Sequence, residues 1–272
     1  MRIASPVSVS AGGTATLASA RPRWRVDRVE LALLILFAAF SLWVVALDLW
    51  QTVSQGLVWT GTDGFFIVDQ MQYLAWIQSA SHHLLVANLF VLRGTPSDYF
   101  QPAVAISGAI AALGVAPWLA LLLWKPVAVV ATFFGVRAYA YRSVSGVNPR
   151  RVVIVLGLFF GSFSVVYGKF GIVGDMMSSW SSWGYPFGLL AVALVLFALL
   201  GYDRARGEGR LVFTPGVMGA LASALHPWQG ELLIIMIAVA ELVRWRELRS
   251  GRRLALPAVT VGLTALPLLY YA

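Results

Sequence analysis

The residues best suited to chemistry begin with a short run, Asp69-Gln70-Met71-Gln72-Tyr73-Leu74-Ala75-Trp76. At helical spacing Asp69, Gln72, Tyr73 and Trp76 share one face, while Met71, Leu74 and Ala75 make a neighbouring apolar stripe able to rest on a membrane. A carboxylate, an amide and two rings on one face suit a sugar, whose hydroxyls take the polar groups while its C–H face stacks on the rings. The competing reading is that Asp69 only caps the start of its helix. A second constellation is His226-Pro227-Trp228-Gln229-Gly230-Glu231. Pro227 suits a first helical turn and puts His226 near the N-cap. A helix N-terminus attracts anions, and its dipole also favours Glu231, expected as a buried carboxylate at the mouth of a bundle. Lys125 stands inside an apolar run, Leu122-Leu123-Trp124-Lys125-Pro126. A membrane lysine points to anion binding, and the alternative is snorkelling to the interface. Pro126 should open the helix there.

These residues must be positioned by membrane helices. The chain has 272 residues, 59% hydrophobic and only 12% charged, with mean hydropathy +0.78. Soluble domains carry roughly 25% charged residues. The expected fold is all-α, a transmembrane bundle of about seven spans near Val29–Trp50, Pro117–Ala138, Val152–Tyr167, Tyr185–Tyr202, Leu211–Leu225, Leu232–Val243 and Leu254–Tyr271. The sixth extends back through Pro227. Residues 1–28 read as a disordered basic tail, 29–272 as the membrane module, and 51–116 as a large first loop containing interfacial helices, one of them over Ala103–Leu113.

The basic residues fix an expected orientation. With the N-terminus cytoplasmic, every Lys and Arg except Arg93, Lys125 and Lys169 falls on the cytoplasmic side. Sorting by alternate loops excludes a nucleic-acid-binding face as the reason for the net charge of +8. Asp63, Asp69, His82, His83, His226 and Glu231 all fall on the opposite side. The adjacent His82 and His83 point apart on a helix and make a poor metal pair. Trp180, Trp183 and Tyr185 are either interface anchors or part of a binding loop. There is no Cys and therefore no thiolate site, and no GxxxxGK[ST] phosphate loop. The Arg-, Ala-, Val- and Leu-rich composition points to a bacterial plasma membrane.

With those residues in view, the chain resembles the GT-C superfamily, multispan glycosyltransferases such as the protein O-mannosyltransferases and the lipid A aminoarabinose transferases. The resemblance rests on one span after a cytoplasmic N-terminus, a large first loop in which Asp69 opens a helix, and a Pro-led helix from Gln101-Pro102 before the second span. It covers about Val29 to Arg142 well, and the rest only as alternating spans. It implies a polyprenyl-phosphate sugar donor, a glycan, lipid or protein acceptor, and Asp69 as general base, with Asp63 as second choice. It also implies cations for the donor phosphate, for which Lys125, Arg93 and Lys169 are the outer candidates. Gln70 follows Asp69 where many relatives have a second acid, and Gln101-Pro102 replaces a His-Pro-Pro-type start. Both departures leave acceptor class and divalent-cation use open. A glycosyl phosphate already carries a good leaving group, so one base and a cation suffice for an inverting displacement. The span ending at Tyr271 with no tail beyond Ala272 is read as the sign of an N-terminal fragment. The competing functions are a transporter or flippase of a lipid-linked sugar, a non-catalytic membrane assembly partner, and, through His226 and Glu231, a membrane acyltransferase.

Overall fold

The computed structural model describes residues 26–63, 66–88, 93–160, 177–244 and 251–272. The expected tail lies almost wholly outside them, as does Lys169. Helix α1 (Arg28–Ser54) opens with a capping box: Asp27 accepts from the Val29 and Glu30 amides, and the Glu30 carboxylate accepts from the Asp27 amide. Phe37, Ser41, Val44 and Val45 form its buried stripe, while Leu31, Ile35, Leu36 and Leu42 remain exposed, as suits a face turned to lipid.

The first loop holds α2 (Ile67–Ala80), a minimal antiparallel pair β1 (Val86–Ala87) and β2 (Ser97–Tyr99), and α3 (Pro102–Ala112). Gln101 caps α3 by accepting from the Val104 amide, and Pro102 occupies its first turn. A 27-residue apolar run then follows as α4 (Pro117–Leu122) and α5 (Trp124–Ser143). It breaks at Leu123, where Pro126 lacks the N–H that would have bonded four residues back. Beyond it come α6 (Val147–Phe159), the short α7 (Ser178–Gly184), α8 (Pro186–Gly207), α9 (Thr214–Leu225), α10 (Pro227–Val243) and α11 (Gly251–Tyr271).

The expected seven spans are corrected to four among the described residues: α1, the α4–α5 run, α8, and Leu254–Tyr271 of α11. The reason is length. Helices α9 and α10 have 12 and 17 residues, and a span needs about 20 at 1.5 Å each; α6 has 13 residues, and the part of the third expected span, Val152–Tyr167, beyond residue 160 lies outside the described residues. Helices α9 and α10 do not add end to end, because His226 is extended and the chain folds back there. A Cβ on Gly230 would lie 1.9 Å from the Ser223 hydroxyl, and one on Gly219 would lie 2.8 Å from Leu233 Cδ2. The hairpin needs both glycines for this approach.

Helix α8 is central and packs on α5, α9 and α10. One apolar core gathers Trp76, Val104, Phe187 and Leu233, a second gathers Phe37, Phe133 and Leu158, and a small third joins Val44, Trp180 and Trp183. The bundle has two chemically distinct ends. At one, Glu30 pairs with Arg137 at 3.0 Å and Glu241 with Arg206 at 2.8 Å, flanked by the Asp27–Arg151 and Asp203–Arg142 pairs. At the other, where α2, α8 and α10 begin, stand Asp63, Asp69, Tyr185 and His226. Tyr271, closing α11, sets its single hydroxyl proton within reach of the Phe100 carbonyl (2.8 Å) and the Ala224 carbonyl (3.0 Å), tying the first loop to this end.

Candidate functional site

Asp69 sits in the first turn of α2, where the helix dipole favours its charge. It is not the cap. That position belongs to Phe66, whose backbone is left-handed (φ 53°, ψ 42°), an uncommon conformation for a non-glycine residue. Phe66 is held there by its ring, tilted over Tyr185 at 4.4 Å and edge-on to Trp180 at 4.9 Å. The turn thus places α2 against the α7–α8 junction, where the Tyr185 hydroxyl donates to Asp69 Oδ2.

His226 joins them from the hairpin. Its ring centroid is 6.0 Å from that of Tyr185, and its Cδ2 is 3.3 Å from where a Cβ on Gly188 would lie. The residue is 8% exposed, and its Nδ1 is buried with no hydrogen-bond partner in the structure. Burial pushes the imidazole down to about 4, against the opposing pull of Asp69, so the ring is neutral at pH 7. Gln101 braces the hairpin by donating to the Leu225 carbonyl.

Beside this group lies a second network. Lys125 pairs with Asp63 at 2.8 Å, and the Gln70 amide bonds both the Asp63 carboxylate and its backbone N–H. The Lys125 ammonium also donates to the carbonyls of Ser182 (2.6 Å) and Ser41 (3.0 Å). Both side chains are almost fully buried. Burial raises the Asp63 carboxyl, while Lys125 and Gln70 oppose that rise. Two expectations change. Lys125 does not snorkel, because it points into protein. Nor is it placed to bind a donor phosphate, because its three N–H donors are taken by Asp63, Ser182 and Ser41. Asp63 is likewise engaged, leaving Asp69 as the better placed carboxylate.

The remaining expected residues divide. Gln72 faces the bundle, and its Oε1 is buried without a hydrogen-bond partner in the structure. Tyr73 packs edge-on against Phe187 at 5.2 Å. Trp76, expected to stack on a sugar, is 2% exposed; it stacks under Tyr99 at 5.1 Å and donates to the Ala87 carbonyl. Glu231 is exposed rather than buried, because five residues past His226 puts it about 140° around the helix. Arg93 is exposed in the loop before β2. His82 and His83 are exposed with rings 6.4 Å apart. No group of three or more His, Asp or Glu side chains is placed to hold a metal ion among the described residues. Tyr185, which sequence reasoning read as an interface anchor or part of a binding loop, is the residue the structure adds to Asp69 and His226. Its position just before Pro186, at the start of a long apolar helix, was the available signal.

The fold is mostly helical, with four helices among the described residues long and apolar enough to cross a membrane and a polar cluster at one end of the bundle. No protein-family model, curated protein or solved structure matches the chain.

Proposed function

We propose that this chain is a membrane glycosyltransferase that moves a sugar from a polyprenyl-phosphate donor to an acceptor, with Asp69 as general base. The observation that carries this reading is the convergence of Asp69, Tyr185 and neutral, buried His226 where three elements meet. Tyr185 occupies Oδ2 and orients the carboxylate, which leaves Oδ1 to take a proton. In the step, an acceptor oxygen attacks the anomeric carbon while its proton passes to Asp69. The bond to the phosphate oxygen breaks, and that electron pair leaves with polyprenyl phosphate. Arg93 and Lys169 are the remaining candidate cations for the leaving group, since Lys125 is committed to Asp63. In this reading the Arg-rich end faces the cytoplasm and the Asp69 end the opposite side.

The test is sugar transfer from labelled polyprenyl-phosphate donors in membranes carrying the wild type or Asp69→Asn. Transfer by the wild type alone is expected. Transfer by both would remove Asp69 as the base, and transfer by neither would remove the enzyme reading. A flippase for a lipid-linked sugar is the second reading. It is favoured by the buried Lys125–Asp63 pair at the broken α4–α5 helix, a feature of transporter sites. Movement of the lipid-linked sugar across proteoliposomes without a new glycosidic bond would select it.

A further inference from the structure

At the end of the bundle opposite Asp69, acids and arginines do not balance. Asp27, Glu30, Asp203 and Glu241 pair with Arg151, Arg137, Arg142 and Arg206. Glu208 is shared by Arg204 and Arg210. Arg150 meets no carboxylate among the described residues, yet its guanidinium is held in place. Its Nε donates to the Val144 carbonyl at 2.9 Å, and its Cζ lies 4.5 Å from the centroid of the Tyr141 ring. That ring is fixed in turn, because its hydroxyl donates to Glu30 and Arg137 lies 4.4 Å from the same centroid. The two Nη groups of Arg150 have no hydrogen-bond acceptor among the described residues. Arg150 and Arg151 also stand near the start of α6, where the helix dipole disfavours cations, and no acidic residue lies in its first turn.

The Asp27–Arg151 pair, at 3.0 Å, brings the start of α1 against the start of α6. There Arg28 is exposed and meets no carboxylate among the described residues. Arg28, Leu31 and Ile35 share one face of α1 at helical spacing. Leu31 is 49% exposed and Ile35 60%. A cation at the head of an uncovered apolar stripe, on a helix long enough to cross a membrane, fits a molecule with an anionic head and an apolar tail. The planar guanidinium fork suits phosphate oxygens. We propose that the junction of α1, α5 and α6 holds an anionic phospholipid of the bilayer. Its phosphate lies on Arg150, with Arg28 adding charge beside it, and an acyl chain follows the Leu31–Ile35 face. The site stands whatever reaction the Asp69 end performs.

The test is native mass spectrometry of the whole protein in detergent, titrated with dioleoyl phosphatidylglycerol or dioleoyl phosphatidylcholine, with inorganic phosphate as a competitor. One phosphatidylglycerol is expected to bind about tenfold more tightly than phosphatidylcholine, and Arg150→Gln should remove that preference. Arg204→Gln takes the same charge from an exposed arginine at this end and should leave the preference intact. Arg28→Gln should lower it about threefold, and it carries the test if Arg150→Gln fails to fold. Equal binding of the two lipids, or no change in Arg28→Gln, would overturn the proposal. So would a preference lost as fully in Arg204→Gln as in Arg150→Gln, which would leave only a diffuse basic surface. Displacement of phosphatidylglycerol by inorganic phosphate at equal concentration would overturn it too, by showing a site for free anions.

Discussion

The Lys125 ammonium lies 2.8 Å from the Asp63 carboxylate, with both side chains almost fully buried. It also bonds the backbone of α1 at Ser41 and of α7 at Ser182, so a single cation joins the first span, the loop before α2 and the short helix before α8. Removing one partner of such a pair leaves a buried charge uncompensated, which costs about 3–5 kcal/mol. Lys125→Met should therefore be strongly destabilising, and Asp63→Asn combined with Lys125→Met should recover most of the loss. Thermal unfolding of both variants in one detergent decides it. If Lys125→Met melts with the wild type, the pair is not what holds these elements together.

Tyr185 acts on Asp69 through one hydrogen bond. Tyr185→Phe keeps the ring under Phe66 and removes only the hydroxyl. A transfer rate about tenfold lower is expected, the size of a charge-assisted hydrogen bond. Asp69→Asn should cost on the order of 10²–10⁴-fold, as for loss of a general base. Initial rates at saturating donor make the comparison. A Tyr185→Phe enzyme at the wild-type rate would show that the carboxylate needs no such support.

His226 makes stability depend on pH. Its ring is held near pKa 4 when folded, against 6.5 for the free side chain. Between those values the unfolded chain binds a proton that the folded chain excludes. The stability from this residue is thus fully present above about pH 6.5 and falls as pH drops toward 4. The full loss is on the order of 3 kcal/mol. Unfolding midpoints measured across this window should slope downward on acidification in the wild type and less so in His226→Asn. Equal slopes would mean that the imidazole is not the group being charged.

Trp76 offers a sharp choice between two roles. As a sugar platform, its loss would weaken acceptor binding and spare the fold. Buried under Tyr99 and bonded to Ala87, it should do the reverse. Trp76→Ala is expected to cost about 3–5 kcal/mol, seen as a lowered melting temperature, whereas Trp76→Phe should retain most stability and full acceptor affinity. Normal melting with lost acceptor affinity in Trp76→Ala would restore the platform role.

Much of this protein is fixed by local pattern. Apolar runs near 20 residues declare helices for a membrane whatever they pack against, and α1, the α4–α5 run, α8 and α11 were legible for that reason. The Pro126 break, the Gln101-Pro102 helix start and the placing of Asp69 on one face with Gln72 and Tyr73 follow from the missing N–H of proline and the helical repeat. Hydropathy could not separate a spanning helix from the short arms of the α9–α10 hairpin, because the glycines that let Ser223 meet Gly230 act across space. The site was decided in the same way. No periodicity shows that Lys125 answers Asp63, that Tyr185 orients Asp69, or that Trp76 lies inside and Glu231 outside. Each depends on which residues distant in the chain share one buried volume, where a charge must find its partner and a ring its contacts.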